Sequence, residues 1–486
     1  MNSSTPKRFS SFRSQKANNC QRKNEFVESA VYDEYAVFQT ARTLRKPLML
    51  CVASIRVIPS DTTIIILWMA ILILGAANKV EAQVPLKINL KTEAVDGTIQ
   101  FGSKIQIQAE LENETQKPIS GKLHWSLSDA EKKPILNFAH AQVLEIPAGS
   151  TATVTQDFRA PAAGFYYAKV TLNTGQEKYS QFFRFGCGPT AIKSERLPEQ
   201  DFEKFWIQTQ QRLGEIEPHY RVTKQIKSKD QKQKLFEVEF HSFGNVRVSG
   251  WLEIPNTPGP HPCVLRLPGY GQNMKPLNKF DDLAIFSFNI RGHGNSQKDI
   301  SGKPNNFWVR GLEDKNNYFY RGAYMDCVRA MQFLKNHPQI DGQKIAVWGG
   351  SQGGGLALAT AAFDPAVTYC VADIPFLVDW DNYFKLTRWP EMDQWIESKD
   401  DQDWSSVLKT MSYFDAMFLA PKIKCPVLCG IGLQDNVCPP TTIFCMLNRI
   451  KSPNKHVIYP ERKHATGRQH PKLVWSTLRD HFHLKN

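Results

Sequence analysis

Residues 347–362, VWGGSQGGGLALATAA, set one serine between a run of β-formers and a run of good helix formers, with glycine on both sides. No single regular element accommodates this stretch. "KIAVW" (344–348) reads as a strand and "GLALATAA" (355–362) as a helix, so the backbone must turn sharply at Ser351. Such a turn lifts a hydroxyl clear of the sheet and crowds the chain around it. Gly349 and Gly353 remove the side chains that would clash. The helix beginning near Gln352 brings N–H groups and a positive dipole end to the same place, which suits a developing oxyanion. Ser351 is therefore the candidate nucleophile. The bare Gly-x-Ser-x-Gly motif is weak in a chain with 29 glycines; the flanking strand and helix give it weight.

The rest of the chain after Asp201 fits the same architecture. "DFEKFWIQTQQRLGEI" is an amphipathic helix with Phe202, Phe205, Trp206 and Leu213 on one face. "KLFEVEFHSF" and "RVSGWLEIP" read as antiparallel strands. Short, almost wholly apolar runs then alternate with helix patterns such as "YRGAYMDCVRAMQFLKNH". That pattern means a mostly parallel sheet with helices on both faces, and together with the serine elbow it leads to the expectation of an α/β-hydrolase fold. Upstream, "KIQIQAELEN", "GKLHWSLSD", "GFYYAKVTLN" and their neighbours alternate apolar with polar and are punctuated by turn residues. An all-β, Ig-like sandwich is expected there. The expected division is a leader over 1–82, a sandwich over 83–187, a linker over 188–200 and an α/β-hydrolase catalytic domain over 201–486. The sandwich shows no catalytic grouping and reads as a spacer or docking module.

A serine nucleophile needs a base, and the base needs an orienting acid. In this fold class they follow in the order Ser, acid, His. Asp435 follows the strand "CPVLCGIG", and His464 follows "KHVIYP"; both lie just past strand ends, on the sheet edge that carries Ser351. Asp373 and Glu461 compete as acids, but Asp373 follows its strand one step too early and suits capping or pairing. His456 falls inside a strand, and His470 ranks second as base. The oxyanion hole needs two N–H donors. Gln352, after the nucleophile, is one; Tyr270, in the loop after "CVLRLPG" and flanked by Gly269 and Gly271, is the other.

The formal net charge is +13, and the leader contributes 11 Lys+Arg against 6 Asp+Glu. No basic block follows, so a nucleic-acid partner is not expected. Residues 64–77, IIILWMAILILGAA, have the length of a signal-peptide apolar region, with cleavage expected near Ala82. The 63 polar, unpatterned residues before them are too many for a secretory n-region and suggest a true start near Met49. An uncleaved membrane anchor is the alternative, and both readings export residues 83–486. Ten cysteines occur without a C-x-x-C pair, so no metal is expected and at most one disulfide.

Residues 190–486 resemble the acetyl xylan esterase and cephalosporin-C deacetylase family, carbohydrate esterase family seven. The resemblance rests on "PGYGQN", "NIRGHGNS", "WVRGLEDKNNYFYRGAYMDCVRAMQFL", "GGSQGGGLALA", "DIPFLVDW" and "GLQDNVCPP". It implies Ser351 as nucleophile, Asp435 as acid, His464 as base and the Tyr270 and Gln352 amides as oxyanion hole. It also implies deacetylation of short acetylated sugars without a metal or other cofactor, often by a homo-oligomer. Two positions depart from the family pattern: His293 stands where Arg-Gly-Gln is usual, and Ala465 where Glu usually follows the histidine. Many members also lack the amino-terminal β region. Three alternatives stay open: a serine peptidase of the prolyl-oligopeptidase type or another small-ester carboxylesterase; a non-catalytic scaffold; and a sugar-binding role for the sandwich through Trp125, Phe165, Tyr166 and Tyr167, for most of which core packing is the expected role.

Overall fold

Strands of two kinds build the molecule. A computed structural model describes residues 85–137, 142–226, 233–300 and 304–484. The leader, with its apolar stretch 64–77 and the expected cleavage point near Ala82, lies outside the described residues.

The first nine strands are β1 (Leu86–Thr92), β2 (Thr98–Ile99), β3 (Lys104–Asn113), β4 (Ile119–Asp129), β5 (Pro134–Asn137), β6 (Gln142–Ile146), β7 (Thr151–Arg159), β8 (Gly164–Asn173) and β9 (Lys178–Cys187). They form a three-stranded sheet, β1-β3-β7, and a six-stranded sheet, β2-β9-β8-β4-β5 with β6 beside β4. Alternation along β3 buries Ile105, Ile107, Ala109 and Leu111 and turns the intervening residues outward. Rings close the core between the sheets, with Trp125 against Phe158 at 5.8 Å and Phe158 against Phe185 at 6.1 Å. Trp125, Phe165, Tyr166 and Tyr167 are all buried, so none forms an exposed platform.

The remaining elements are α1 (Phe202–Gly214), β10 (Arg221–Ile226), β11 (Gln233–Ser242), β12 (Val246–Pro255), β13 (His261–Leu267), β14 (Ala284–Asn289), α2 (Phe319–Asn336), β15 (Ile340–Gly350), α3 (Gln352–Phe363), β16 (Val367–Asp373), α4 (Trp380–Leu386), α5 (Pro390–Glu397), α6 (Trp404–Ser412), α7 (Ala416–Leu419), β17 (Val427–Gly432), α8 (Pro440–Leu447), β18 (Asn454–Tyr459) and α9 (His470–Phe482). Their nine strands lie in the order β10-β11-β12-β14-β13-β15-β16-β17-β18. The pairs from β10 to β12, and β12 with β14, are antiparallel, and every later neighbour is parallel. Every residue of β14 and β17 is buried, as a sheet covered on both faces requires. Parallel strands put their carboxyl ends on one edge, and the loops there are where chemistry can collect.

Residues 188–200 are tied down on this body. Asn448 donates to the carbonyls of Pro189 and Ile192, and Arg449 to those of Ser194 and Arg196. The described residues belong to one compact unit. Among the described residues no helix is long and apolar enough to cross a membrane. All eight described cysteines are free and buried.

Candidate active site

Ser351 sits between β15 and α3 with φ 56° and ψ −121°, a conformation that costs a non-glycine residue roughly 1–3 kcal/mol. The surroundings hold it there. Its N–H donates to the Asp373 carbonyl at 2.9 Å, and its own carbonyl accepts from Gly354 and Phe376. The two elbow glycines are sterically required. A Cβ on Gly349 would lie 2.3 Å from the Gly353 carbonyl, and one on Gly353 would lie 2.5 Å from the Leu267 oxygen.

His464, in the loop after β18, places Nε2 3.0 Å from Ser351 Oγ and Nδ1 2.8 Å from Asp435 Oδ2. Asp435, in the loop after β17, is fully buried. Its other oxygen accepts from the N–H groups of Val437 and Cys438 at 2.7 and 2.9 Å. Three loops from three strand ends thus bring serine, imidazole and carboxylate into one hydrogen-bonded line.

Asp373 takes another partner. Its Oδ1 accepts from His470 Nε2 at 2.6 Å and its Oδ2 from the Trp348 indole at 2.8 Å, while Tyr459 bonds the other His470 nitrogen. A second aspartate–histidine pair therefore lies beside the first, with its imidazole committed away from Ser351. Glu461 is exposed, and His456 packs against Phe444 at 5.0 Å.

Gln352 opens α3 with its side chain fully buried. Its amide donates to the Pro268 carbonyl at 3.3 Å, which holds the loop carrying Tyr270 against the elbow. Gln272 accepts from the Gly269 N–H at 2.9 Å and closes the same turn. Gln352 Nε2 also lies 3.3 Å from His293 Nε2, and His293 Nδ1 lies 3.1 Å from the Arg291 carbonyl. An amide N–H must donate, so His293 is neutral with its proton on Nδ1. Burial holds its pKa below the usual value, in keeping with that state. Arg291 anchors the turn through a buried pair with Asp326 at 2.8 Å. The departure from the family pattern at His293 thus supports the glutamine that follows the serine.

The elbow and His464 border a cavity of about 340 Å³, also lined by Arg266, Gln272, Met274 and Trp348. One donor set here has the spacing of a metal site: ligand atoms of Asp435, Cys438 and His464 lie within 4.8 Å of one another. Its chemistry fits poorly. Burial and the neighbouring Asp435 push the Cys438 thiol far up, so it is not a thiolate, and both His464 nitrogens are already engaged. Nothing local in the chain marks Cys438 beyond its place in "GLQDNVCPP".

A strained serine elbow, an imidazole within reach of it and a buried carboxylate behind that imidazole, on an α/β-hydrolase sheet, have the arrangement of a serine hydrolase, and the relatives make the class a carboxylic ester hydrolase. The chain belongs to the acetyl xylan esterase (AXE1) family, whose profile matches residues 190–478. The acetyl esterase Axe7A of Xylanibacter ruminicola is 29% identical over 316 residues, covering 61% of this chain and 71% of that protein. Two solved acetyl xylan esterases superpose with TM-scores of 0.56: acetyl xylan esterase 1 from Thermoanaerobacterium sp. JW/SL YS485, 26% identical, and the enzyme from Paenibacillus sp. R4, 27% identical. Each covers 60% of this chain and 98% of its own. These relatives do not favour the peptidase alternative.

Proposed function

We propose that the protein removes acetyl groups from acetylated xylo-oligosaccharides or similar small acetylated sugars through an acyl-enzyme on Ser351. The observation that carries this reading is the Ser351–His464–Asp435 line opening on the elbow cavity, in a chain of this family. His464 Nε2 takes the hydroxyl proton as Ser351 Oγ attacks the acetyl carbonyl carbon. Asp435 fixes the imidazole tautomer and stabilises its charge. The backbone N–H groups of Tyr270 and Gln352 receive the oxyanion. The sugar oxygen leaves with the proton from His464, and water repeats the attack to release acetate. Each oxyanion donor contributes about 3–4 kcal/mol in sites of this kind.

Acetate release from acetylated xylo-oligosaccharides and from a chromogenic acetate, measured beside Ser351→Ala, tests the proposal. Release from the sugars that vanishes in the variant supports it. Release from the chromogenic ester alone moves the substrate away from xylan acetates, and undiminished release by the variant removes Ser351 from the reaction.

The same proposal includes export of the body beyond residue 82, the division into leader, sandwich, linker and catalytic domain at 82, 187 and 200, and assembly as a homo-oligomer. The apolar run 64–77, followed by Val80 and Ala82 at positions that suit a cleavage site, supports export, and the family resemblance supports assembly.

A further inference from the structure

The alternation that makes β3 a one-faced strand fails in β8 and β9. Phe165, Tyr166, Tyr167 and Ala168 are buried in succession, as are Phe183, Arg184, Phe185, Gly186 and Cys187. Consecutive burial means that both faces of the six-stranded sheet are covered at this end. One face meets the sandwich core. The other meets the loop that carries Asp435.

Arg184 makes that contact, with only 4% of its surface exposed. Its Nη1 donates to the carbonyls of Leu433 and Asp435 at 2.9 and 2.5 Å. Its Nη2 donates to Asn436 Oδ1 at 2.6 Å and to the Tyr167 hydroxyl, which itself donates to Asn436 Oδ1 at 3.3 Å. The Arg184 backbone pairs with the side-chain amide of Gln434: its N–H donates to Oε1 at 2.7 Å, and its carbonyl accepts from Nε2 at 2.9 Å. Gln434 reaches the base loop as well, through Nε2 to the Pro460 carbonyl at 2.7 Å and its own N–H to the Arg462 carbonyl at 2.8 Å. Past the acid loop, Phe165 packs on Phe444 of α8 at 5.6 Å.

A buried guanidinium is costly to desolvate, and here it spends its donors on neutral oxygens. Three of the four oxygens lie on residues 433, 435 and 436, the acid and its neighbours, and the fourth is the Tyr167 hydroxyl, itself bonded to Asn436. The planar fork fixes direction as well as distance. Holding the Asp435 backbone fixes where its carboxylate meets His464, and tolerances in such sites are about 0.5 Å.

We propose that Arg184 is a positioning residue for the reaction, and that the sandwich completes the catalytic apparatus by gripping the acid loop from outside the family-matched segment. This rests on the reading of Asp435 as the acid.

The test is Arg184→Met in the full chain, with kcat taken per titrated active site. We expect kcat to fall about 10–100-fold with KM held within about twofold, because the lost geometry matters in the transition state. The acid limb of kcat/KM should also move to lower pH, as the carboxylate supports the imidazolium less well. Trp125→Phe, inside the sandwich core and away from the loop, is the structural control. Unchanged kcat and pH profile in Arg184→Met overturns the proposal. So does a loss that both variants share in proportion to their fall in Tm. If Arg184→Met does not fold, Tyr167→Phe decides: a smaller shift of the same kind supports the proposal, and wild-type behaviour overturns it. Asp435→Asn, measured in parallel, separates the two readings. A fall of about 10⁴-fold upholds the acid assignment and leaves the Arg184 result to stand alone. Wild-type turnover removes the acid assignment itself.

Discussion

The sandwich and the hydrolase sheet are both built of strands, but they hide apolar surface differently. In β3 every second residue is buried, whereas in β14 and β17 all are. A one-faced sheet can spend its other face on recognition. A sheet covered on both faces offers chemistry only at its strand ends, and all three residues of the Ser351 line lie there. The two designs meet where β8 and β9 abandon one-faced burial and cover the Asp435 loop.

Substitutions can break or sharpen this contrast. The largest expected effect is at a strand end: Ser351→Ala should lower turnover by more than about 10⁴-fold, with Tm unchanged, as acetate release and thermal melting would read. Next is the doubly covered interior. Phe286, on β14, packs at a tilt against Phe288 and Phe333, with ring centroids 5.5 and 5.6 Å away, and has no exposed surface. Phe286→Ala should cost about 3–5 kcal/mol in denaturant unfolding.

A smaller effect concerns pH. Because the folded-state pKa of His293 lies below its ordinary value of 6.5, the unfolded chain binds the extra proton first as pH falls. Its contribution to stability is therefore complete above about pH 6.5 and is lost between there and the lower folded value. His293→Gln should flatten that part of the stability–pH curve without moving the rest. The smallest effect belongs to the open face of the sandwich, where Thr153→Ala on β7 should change stability by less than about 0.5 kcal/mol. A large loss there would mean that this face is covered too.

Local patterns in the sequence carried much of this. The elbow was legible because strand, glycine and helix signals converge within 16 residues, and the strands bearing Asp435 and His464 because their apolar runs end cleanly. The two-residue β2 and the edge strands β5 and β10 are too short or too exposed to leave a period. The helices between residues 380 and 419 lie where no strand spacing demanded them. Arg184 shows the limit best. It bonds to residues about 250 positions away, a distance no window spans. A local trace did exist: "FYY" and "FFRF" interrupt the alternation of their strands, and an arginine within such a run needs a partner. Read as a spacer, the sandwich loses the contact that ties it to the Asp435 loop.

The buried thiols supply a clock. Burial raises the Cys187 thiol and pushes Cys425 up to about 12, so a thiol reagent meets almost no thiolate in the closed molecule. Labelling at Cys187 then times the opening of the sandwich. Labelling at Cys263, Cys327 and Cys370 times the opening of the hydrolase core. If the two regions open together, the eight described cysteines react as one population; if they part first, Cys187 reacts ahead of the rest.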